Sequence, residues 1–193
     1  MKKLLISLLV FTLGLYVAGF VLPAEWRVER SQVIKADRAL IHSYVADLHT
    51  WPAWTAWTAE RDPSTTWTYS GEPVGKGAAY SWEGDELGNG HLTITAAALS
   101  EGIDFELSFD GDSNLSYGSI QYTDAPDSVR VTWSLWGTMS GSPGRWAGLL
   151  MDRLAGRDLE AGLEGLDKVC RGGLPGRIEQ GAGDLLDEVL KTD

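Results

Sequence analysis

The sequence predicts an α+β domain in which a curved antiparallel sheet wraps around one long C-terminal helix, behind an N-terminal helix able to cross a membrane. Three observations predict this class. The middle of the chain contains successive runs of alternating apolar and polar residues, which are typical of half-buried antiparallel strands. Apolar residues between Trp146 and Cys170 recur instead at helical spacing. The segment Leu4–Leu22 carries no charged residue.

This uncharged segment is interpreted as a membrane anchor occupying residues 1–25. A helix rises about 1.5 Å per residue, so Leu4–Leu22 just spans a hydrocarbon core of about 30 Å. A cleaved signal peptide and a buried helix are the alternatives, and the lack of an Ala-x-Ala cleavage site near its end favours the anchor. Lys2 and Lys3 would hold the N terminus in the cytoplasm, which places the remaining chain on the extracytoplasmic side.

The composition argues against several other partners. A net charge of −11 disfavours nucleic acid, whose phosphates select clustered Lys and Arg. His42 and His49 lie too far apart along a helix to share one ion. A loop starting at Asp110 has Leu115 and Gln121 where a calcium loop has glycine and glutamate. Cys170 is expected to be a buried, inert thiol, because it follows apolar helical positions. We therefore expect no metal, no cofactor and no nucleic-acid partner.

The domain itself is predicted for residues 26–171, beginning with a strand at Trp26–Ile34. Asp37 is a plausible N-cap of a helix that runs to about Leu48 and is ended by Pro52. The segment Trp51–Trp57 follows, with three tryptophans in seven residues. Large aromatic side chains of this kind suit either a pocket wall or a packed plug that closes the core, and both interpretations stay open.

A meander of six strands and a long helix complete the prediction. A hairpin is expected at Asn89–Gly90, because this dipeptide favours a tight turn. The strands are placed around Trp67–Tyr69, Tyr80–Trp82, Leu92–Ile94, Ile103–Phe109, Leu115–Tyr122 and Val129–Leu135. One helix then spans Trp146 to Cys170, with a slip in its spacing near Gly156. Residues 172–193 are expected to form an acidic tail with a short helix at Asp184–Leu190.

This order of elements resembles the SRPBCC superfamily (START-like, Bet v 1-like, helix-grip fold). The resemblance is closest to its membrane-anchored bacterial members described as polyketide cyclase or dehydrase-like. It covers about Trp26 to Cys170, and it rests on Val28–Ser31, Trp51–Trp57, Tyr69–Gly71, Gly75–Trp82 and Val131–Ser134. The resemblance implies a helix-grip fold with a possible cavity between sheet and helix. It transfers no catalytic residues, because the matching positions are structural.

The candidate ligand-binding residues are large apolar side chains expected to face the interior. They come from the tryptophan segment, from the inner face of the sheet and from the long helix. The set is Trp54, Trp57, Tyr80, Trp82, Phe105, Phe109, Tyr117, Trp133, Trp146, Leu150 and Leu154. A solid core without room for a ligand is the alternative to a cavity.

Three functions follow from these observations. The first is a membrane-tethered binding domain for a small hydrophobic or amphipathic, lipid-like ligand. The second is a cyclase or dehydrase-type enzyme that uses pocket tyrosines and a carboxylate, with Glu83, Asp85 and Glu106 as acid/base candidates. Glu106 alternates outward and Glu83 and Asp85 border a turn, so solvent-facing carboxylates are the alternative. The third is a protein-interaction module, which exposed Trp54 and Trp57 would favour. We expect no catalytic residue set, and binding rather than catalysis.

Overall fold

The computed structural model describes residues 1–109 and 115–172. The Asp110–Asn114 loop, the acidic tail from residue 173 onward and the short helix predicted at Asp184–Leu190 lie outside the described residues. The elements are helix α1 (Lys2–Gly19), strand β1 (Glu25–Ile34), helix α2 (Arg38–Ala46), a 3-10 helix (Leu48–Ala53), strands β2 (Thr66–Gly71), β3 (Ala78–Gly84), β4 (Gly88–Ala98), β5 (Gly102–Phe109), β6 (Ser116–Ala125) and β7 (Ser128–Thr138), and helices α3 (Gly141–Gly148) and α4 (Met151–Gly172).

The strands form one antiparallel sheet in the order β1-β7-β6-β5-β4-β3-β2. Strands β2 to β7 are a simple meander, and β1 returns to pair with β7 along its whole length, from Glu25 opposite Thr138 to Ile34 opposite Val129. A register shift between Ile94 and Ala96 interrupts the pairing of β4 with β5, and such a bulge bends a sheet. The α+β helix-grip fold expected from the sequence is confirmed.

Helix α4 packs on the inner face of this curved sheet. Its buried side chains are Leu159, Leu163, Leu166 and Cys170, which recur at helical spacing on one face. Arg30 on β1 pairs with Glu160 and, at 2.9 Å between Nη1 and Oδ1, with Asp152. These ion pairs attach the first strand to the last helix.

The N-terminal helix α1 stands apart from this core. It is long and apolar enough to cross a membrane by length and composition, and only 6% of that window is buried against the rest of the chain. Its large apolar side chains are exposed, among them Leu5, Leu9 and Phe11. Among the described residues, α3 packs against the C-terminal end of α1.

Two local predictions were wrong. The turn between β3 and β4 lies at Asp85–Leu87, not at Asn89–Gly90, and Gly90 pairs with Trp82 inside the ladder. Gly90 is needed there for space, because a Cβ atom would lie 2.3 Å from the Trp82 ring. The predicted C-terminal helix is broken at Leu149–Leu150 into α3 and α4.

Helix α2, which was predicted to run from Asp37 to about Leu48, also ends earlier than expected. Asp37 is its N-cap residue, but α2 ends at Ala46, and the backbone of Asp47 is extended. Pro52 lies inside the following 3-10 helix instead of ending α2. The short 3-10 helix turns the tryptophan segment back beneath the sheet.

Candidate functional site

The space between sheet and α4 is divided into a packed half and a hollow half. The packed half is centred on Trp51, which is 2% exposed. Its ring lies 5.4 Å from the ring of Trp54, 5.7 Å from that of Phe105 and 6.0 Å from that of Trp133, measured between centroids. Its indole N–H donates to the Val45 carbonyl at 3.0 Å. This cluster is a close-packed aromatic core.

The hollow half is a cavity of about 370 Å³ between the inner face of the sheet and the N-terminal part of α4. This volume falls in the range of small-molecule sites. Apolar side chains form most of its wall. The lining residues are Trp26, Trp57, Arg61, Trp67, Tyr80, Trp82, Glu86, Leu87, Leu107, Phe109, Ser116, Leu135, Met139, Met151, Leu154, Ala155 and Asp158.

Charged groups lie at one side of the cavity. Arg61 Nη1 is 2.8 Å from Asp158 Oδ2, and the Trp57 indole N–H donates to the same oxygen at 3.4 Å. The Asp158 carboxylate therefore holds the third tryptophan of the segment and an arginine in fixed positions. The arginine neutralises the carboxylate, so this wall suits the polar end of an amphipathic molecule.

Three side chains with polar groups contribute to the cavity wall. Trp26 Nε1 is buried and, among the described residues, has no hydrogen-bond partner. Ser116 contributes a hydroxyl to the same cavity. Burial, and secondarily the nearby Tyr69, raises the pKa of Tyr80 well above its usual range, so its hydroxyl stays protonated. Ser116 and Tyr80 thus place hydroxyl groups, which can donate hydrogen bonds, in the wall of the cavity.

The turn that closes one edge of the cavity is held by Asp62. Its buried carboxylate accepts the backbone N–H of Glu86 at 2.8 Å and that of Leu87 at 2.9 Å. The Ser64 hydroxyl donates to its other oxygen at 2.6 Å. The Ser64 hydroxyl and the two backbone N–H groups hold the pKa of Asp62 well below its usual range. Glu86 and Leu87 are thereby positioned as cavity wall.

The structure brings five of the eleven predicted site residues to the cavity. They are Trp57, Tyr80, Trp82, Phe109 and Leu154. Three others, Trp54, Phe105 and Trp133, are at most 2% exposed and belong to the packed aromatic core. The remaining three, Tyr117, Trp146 and Leu150, lie outside the interior. The role of the five as ligand contacts stays a prediction.

Tyr117 lies on the outer face because of the register of β6. Its ring is 39% exposed and stacks on Trp136, with 6.1 Å between centroids. The inner positions of β6 beside it are Ser116 and Gly118, both small. Small inner residues leave space for the cavity, but they also hide the alternation that identifies an inner face.

Trp146 and Leu150 lie near the break between α3 and α4. The Trp146 indole N–H donates to the Leu15 carbonyl of α1 at 3.1 Å. Leu150 is 55% exposed. Their placement in the cavity assumed one continuous helix, which the break at Leu149–Leu150 interrupts.

Sequence reasoning missed most of the polar wall. Glu86, Arg61 and Asp158 come from a turn, a loop and a helix, and their convergence depends on the tertiary fold. Leu107 and Leu135 share the alternation of Phe105 and Trp133, so strand periodicity could have found them. The acid/base candidates Glu83, Asp85 and Glu106 are not among the cavity residues. Among the described residues, no group of three or more His, Cys, Asp or Glu is placed to hold a metal ion.

Fold and site together define a helix-grip domain with an aromatic-walled cavity between sheet and α4. A family model described as polyketide cyclase / dehydrase and lipid transport matches residues 25–171. The chain belongs to this family, which supports a ligand-binding or cyclase-like role. It confirms the resemblance to the SRPBCC superfamily noted from the sequence. The comparison with curated proteins finds no match to this chain.

Solved structures share the fold at low sequence identity. Protein CV1439 from Chromobacterium violaceum is 11% identical with a TM-score of 0.55, over 75% of this chain and 96% of that one. The hypothetical protein jhp0584 from Helicobacter pylori is 10% identical with a TM-score of 0.55, over 75% and 87%. The di-domain ARO/CYC StfQ from the steffimycin biosynthetic pathway is 10% identical with a TM-score of 0.60, over 77% of this chain and 51% of that one. These similarities concern the fold alone.

Proposed function

We propose that the chain is a membrane-tethered domain that binds a small apolar or amphipathic, lipid-like molecule in the cavity between sheet and α4. The cavity carries this proposal: a volume of about 370 Å³ walled by six aromatic side chains, with an arginine–carboxylate pair at one side. Burial of the ligand's apolar surface against this wall favours binding, and the small number of polar groups in the wall would orient the ligand.

The proposed division of the chain follows from the same reasoning. Residues 1–25 serve as the anchor, 26–171 as the binding domain and 172–193 as an acidic tail. The anchor proposal is supported by the exposed apolar side chains of α1 and by Lys2 and Lys3 before them. With these lysines in the cytoplasm, the domain lies on the extracytoplasmic side.

A photoactivatable fatty acid tests the binding proposal. The full chain is placed in phosphatidylcholine nanodiscs with a fatty acid that carries a diazirine near its methyl end, and crosslinked peptides are mapped by mass spectrometry. We expect crosslinks on β3 and β5, whose inner residues Tyr80, Trp82 and Leu107 line the cavity. Crosslinks confined to α1 would overturn the proposal.

One substitution at two positions of α4 provides the matched control. Ala155 lines the cavity, whereas Ala161 is exposed on the same helix. Ala155→Phe fills the cavity and should lower the crosslinking of β3 and β5 by about fivefold or more. Ala161→Phe should leave it unchanged. Equal crosslinking in both variants would place the fatty acid elsewhere.

A cyclase-type enzyme is the second candidate, because Tyr80 and Asp158 line the same cavity. In an aldol cyclisation, Asp158 would take the α-proton of a polyketone and the enolate carbon would form a bond to a second carbonyl carbon. The protonated Tyr80 hydroxyl would give a proton to the new alkoxide, and solvent would carry the proton from Asp158 back to Tyr80. Absorbance of a cyclised product from a linear polyketone, lost in Tyr80→Phe and Asp158→Asn, would support this function. A binding domain forms no such product.

An interaction module is less well supported. Trp51 and Trp54 are each 2% exposed, and Trp57 is half-buried in the cavity wall. The tryptophan segment therefore offers a partner little indole surface.

A further inference from the structure

Helix α3 is fixed to the C-terminal part of α1. The Trp146 indole N–H donates to the Leu15 carbonyl at 3.1 Å, and the Arg145 guanidinium donates to the carbonyls of Phe20 and, at 3.1 Å, Leu22. At the crossing point a Cβ atom on Gly19 would lie 1.9 Å from Ser142 Oγ, so only glycine admits this approach. The two helices form one unit.

The contact points all lie inside the apolar segment that is proposed to span the bilayer. Leu15 lies four residues before the end of α1 at Gly19, about 6 Å along the helix axis. A helix that is hydrogen-bonded at Leu15 therefore reaches the boundary between headgroups and acyl chains. Tryptophan and arginine are well suited to this depth, because both combine an apolar body with a polar end.

Exposed leucines continue from α3 into the start of α4. Leu149, Leu150 and Leu154 are 54%, 55% and 61% exposed. Leu154 also lines the cavity, together with Met151 one turn earlier. The apolar surface beside α1 is therefore continuous with the rim of the cavity.

The charges beside these leucines complement lipid phosphates despite the negative charge of the whole chain. Of the acidic residues on the first turns of α4, Asp152 is paired with Arg30 and Asp158 with Arg61. Arg153 and Arg157 are exposed on the same turns, and within residues 1–109 and 115–172 they form no ion pair. Their guanidinium groups remain available for phosphate.

We propose that α3 and the α3–α4 junction insert into the extracytoplasmic leaflet of a phospholipid bilayer, so that the cavity rim at Leu154 opens onto the acyl chains. The ligand then enters the cavity from the bilayer and not from water. This inference rests on the proposed tether, and it adds a second membrane contact made by the domain itself. The lipid bilayer covers the exposed side chains of Leu149, Leu150 and Leu154.

Environment-sensitive labels on the full chain test this insertion. In a Cys170→Ala background, single cysteines at Leu149 and Leu150 are labelled with NBD, and the protein is reconstituted in phosphatidylcholine vesicles. Leu9 in α1 is the bilayer reference. Leu99, in the turn between β4 and β5, is the solvent reference and is 51% exposed, close to the exposure of Leu149 and Leu150.

We expect blue-shifted emission at Leu149 and Leu150, with quenching by doxyl-phosphatidylcholine at least half as strong as at Leu9. The label at Leu99 should emit as in water. Water-like emission at Leu149 and Leu150 with a quenched label at Leu9 would overturn the insertion while the tether stands. Water-like emission at Leu9 as well would overturn both.

Discussion

Asp62 illustrates how one carboxylate shapes the cavity from outside it. Its pKa is lowered by the Ser64 hydroxyl and by two backbone N–H groups, which favour the ionised form in the folded state. A folded-state pKa below the unfolded value adds stability above the unfolded pKa, and this stability is lost as the pH falls from about 4 toward the folded pKa. The turn at Glu86 and Leu87 should therefore loosen in acid.

Asp62→Asn is predicted to destabilise the domain at neutral pH. The amide keeps one acceptor oxygen but replaces the other by a donor that faces N–H groups. We expect thermal unfolding several degrees below the wild type at pH 7, and a smaller difference at pH 2 to 3 because the stabilisation is lost progressively below pH 4. Asp85→Asn, on the same turn but exposed, is the control. An equal loss at both pH values would contradict the ionised hydrogen-bonding role.

Cys170 is predicted to be unreactive in the folded protein. Burial, with a further contribution from Asp167, raises the pKa of its thiol to about 11. Relative to an ordinary thiol the thiolate fraction at pH 8 is then about a hundredfold lower, and access is restricted as well. Iodoacetamide labelling followed by mass spectrometry should be at least that much slower than for an exposed Leu99→Cys. Rapid labelling without denaturant would contradict the burial.

The cavity residues were only partly predictable, for a physical reason. Strand alternation identified Tyr80, Trp82 and Phe109 because each strand has one apolar face. It could not tell which inner residues would be covered by Trp51, and so Phe105 and Trp133 were assigned to the cavity instead of the core. The Arg61–Asp158 pair depends on two segments nearly one hundred residues apart.

At the level of elements, α4 owes its close packing to small residues on its inner face. A Cβ atom on Gly162 would lie 2.6 Å from the Trp133 ring. The same glycine weakens the helix itself, since glycine has a low helix propensity. Close contact with the aromatic core is gained at that cost.

Gly162→Ala should therefore destabilise the domain although alanine favours helices. Moving the Trp133 ring or the helix is expected to lower the free energy of unfolding by about 1–3 kcal/mol. Gly172→Ala, where nothing lies within 4 Å of the added Cβ, should be neutral or slightly stabilising. Chemical denaturation of the two variants measures the difference. A stabilised Gly162→Ala variant would refute this packing.

Element types were predicted more reliably than their ends. The meander and the helices follow from periodicity, which local sequence determines. The β3–β4 turn was misplaced because Gly90 is required by the Trp82 ring and not by a turn. The break at Leu149–Leu150 was missed because apolar residues continue through it, and these residues remain exposed beside α1.

At the scale of the whole molecule, the proposed topology predicts where the domain is accessible. With Lys2 and Lys3 in the cytoplasm, Leu99→Cys in a Cys170→Ala background should react with a membrane-impermeant maleimide added to intact cells that express the chain. A cysteine at Lys3 should react only after the cells are permeabilised. The reverse pattern would place the domain in the cytoplasm.

The pairing of β1 with β7 imposes an order on the synthesis of this chain. Strand β1 leaves the ribosome directly after α1, but its partner residues extend to Thr138. At about 5–20 residues per second, the first strand waits on the order of ten seconds for its partner. During this interval α1 can insert, and α3 can dock on it only after β7 has been made. On the proposed tether, synthesis of the sheet therefore separates the insertion of α1 from the docking of α3 on it.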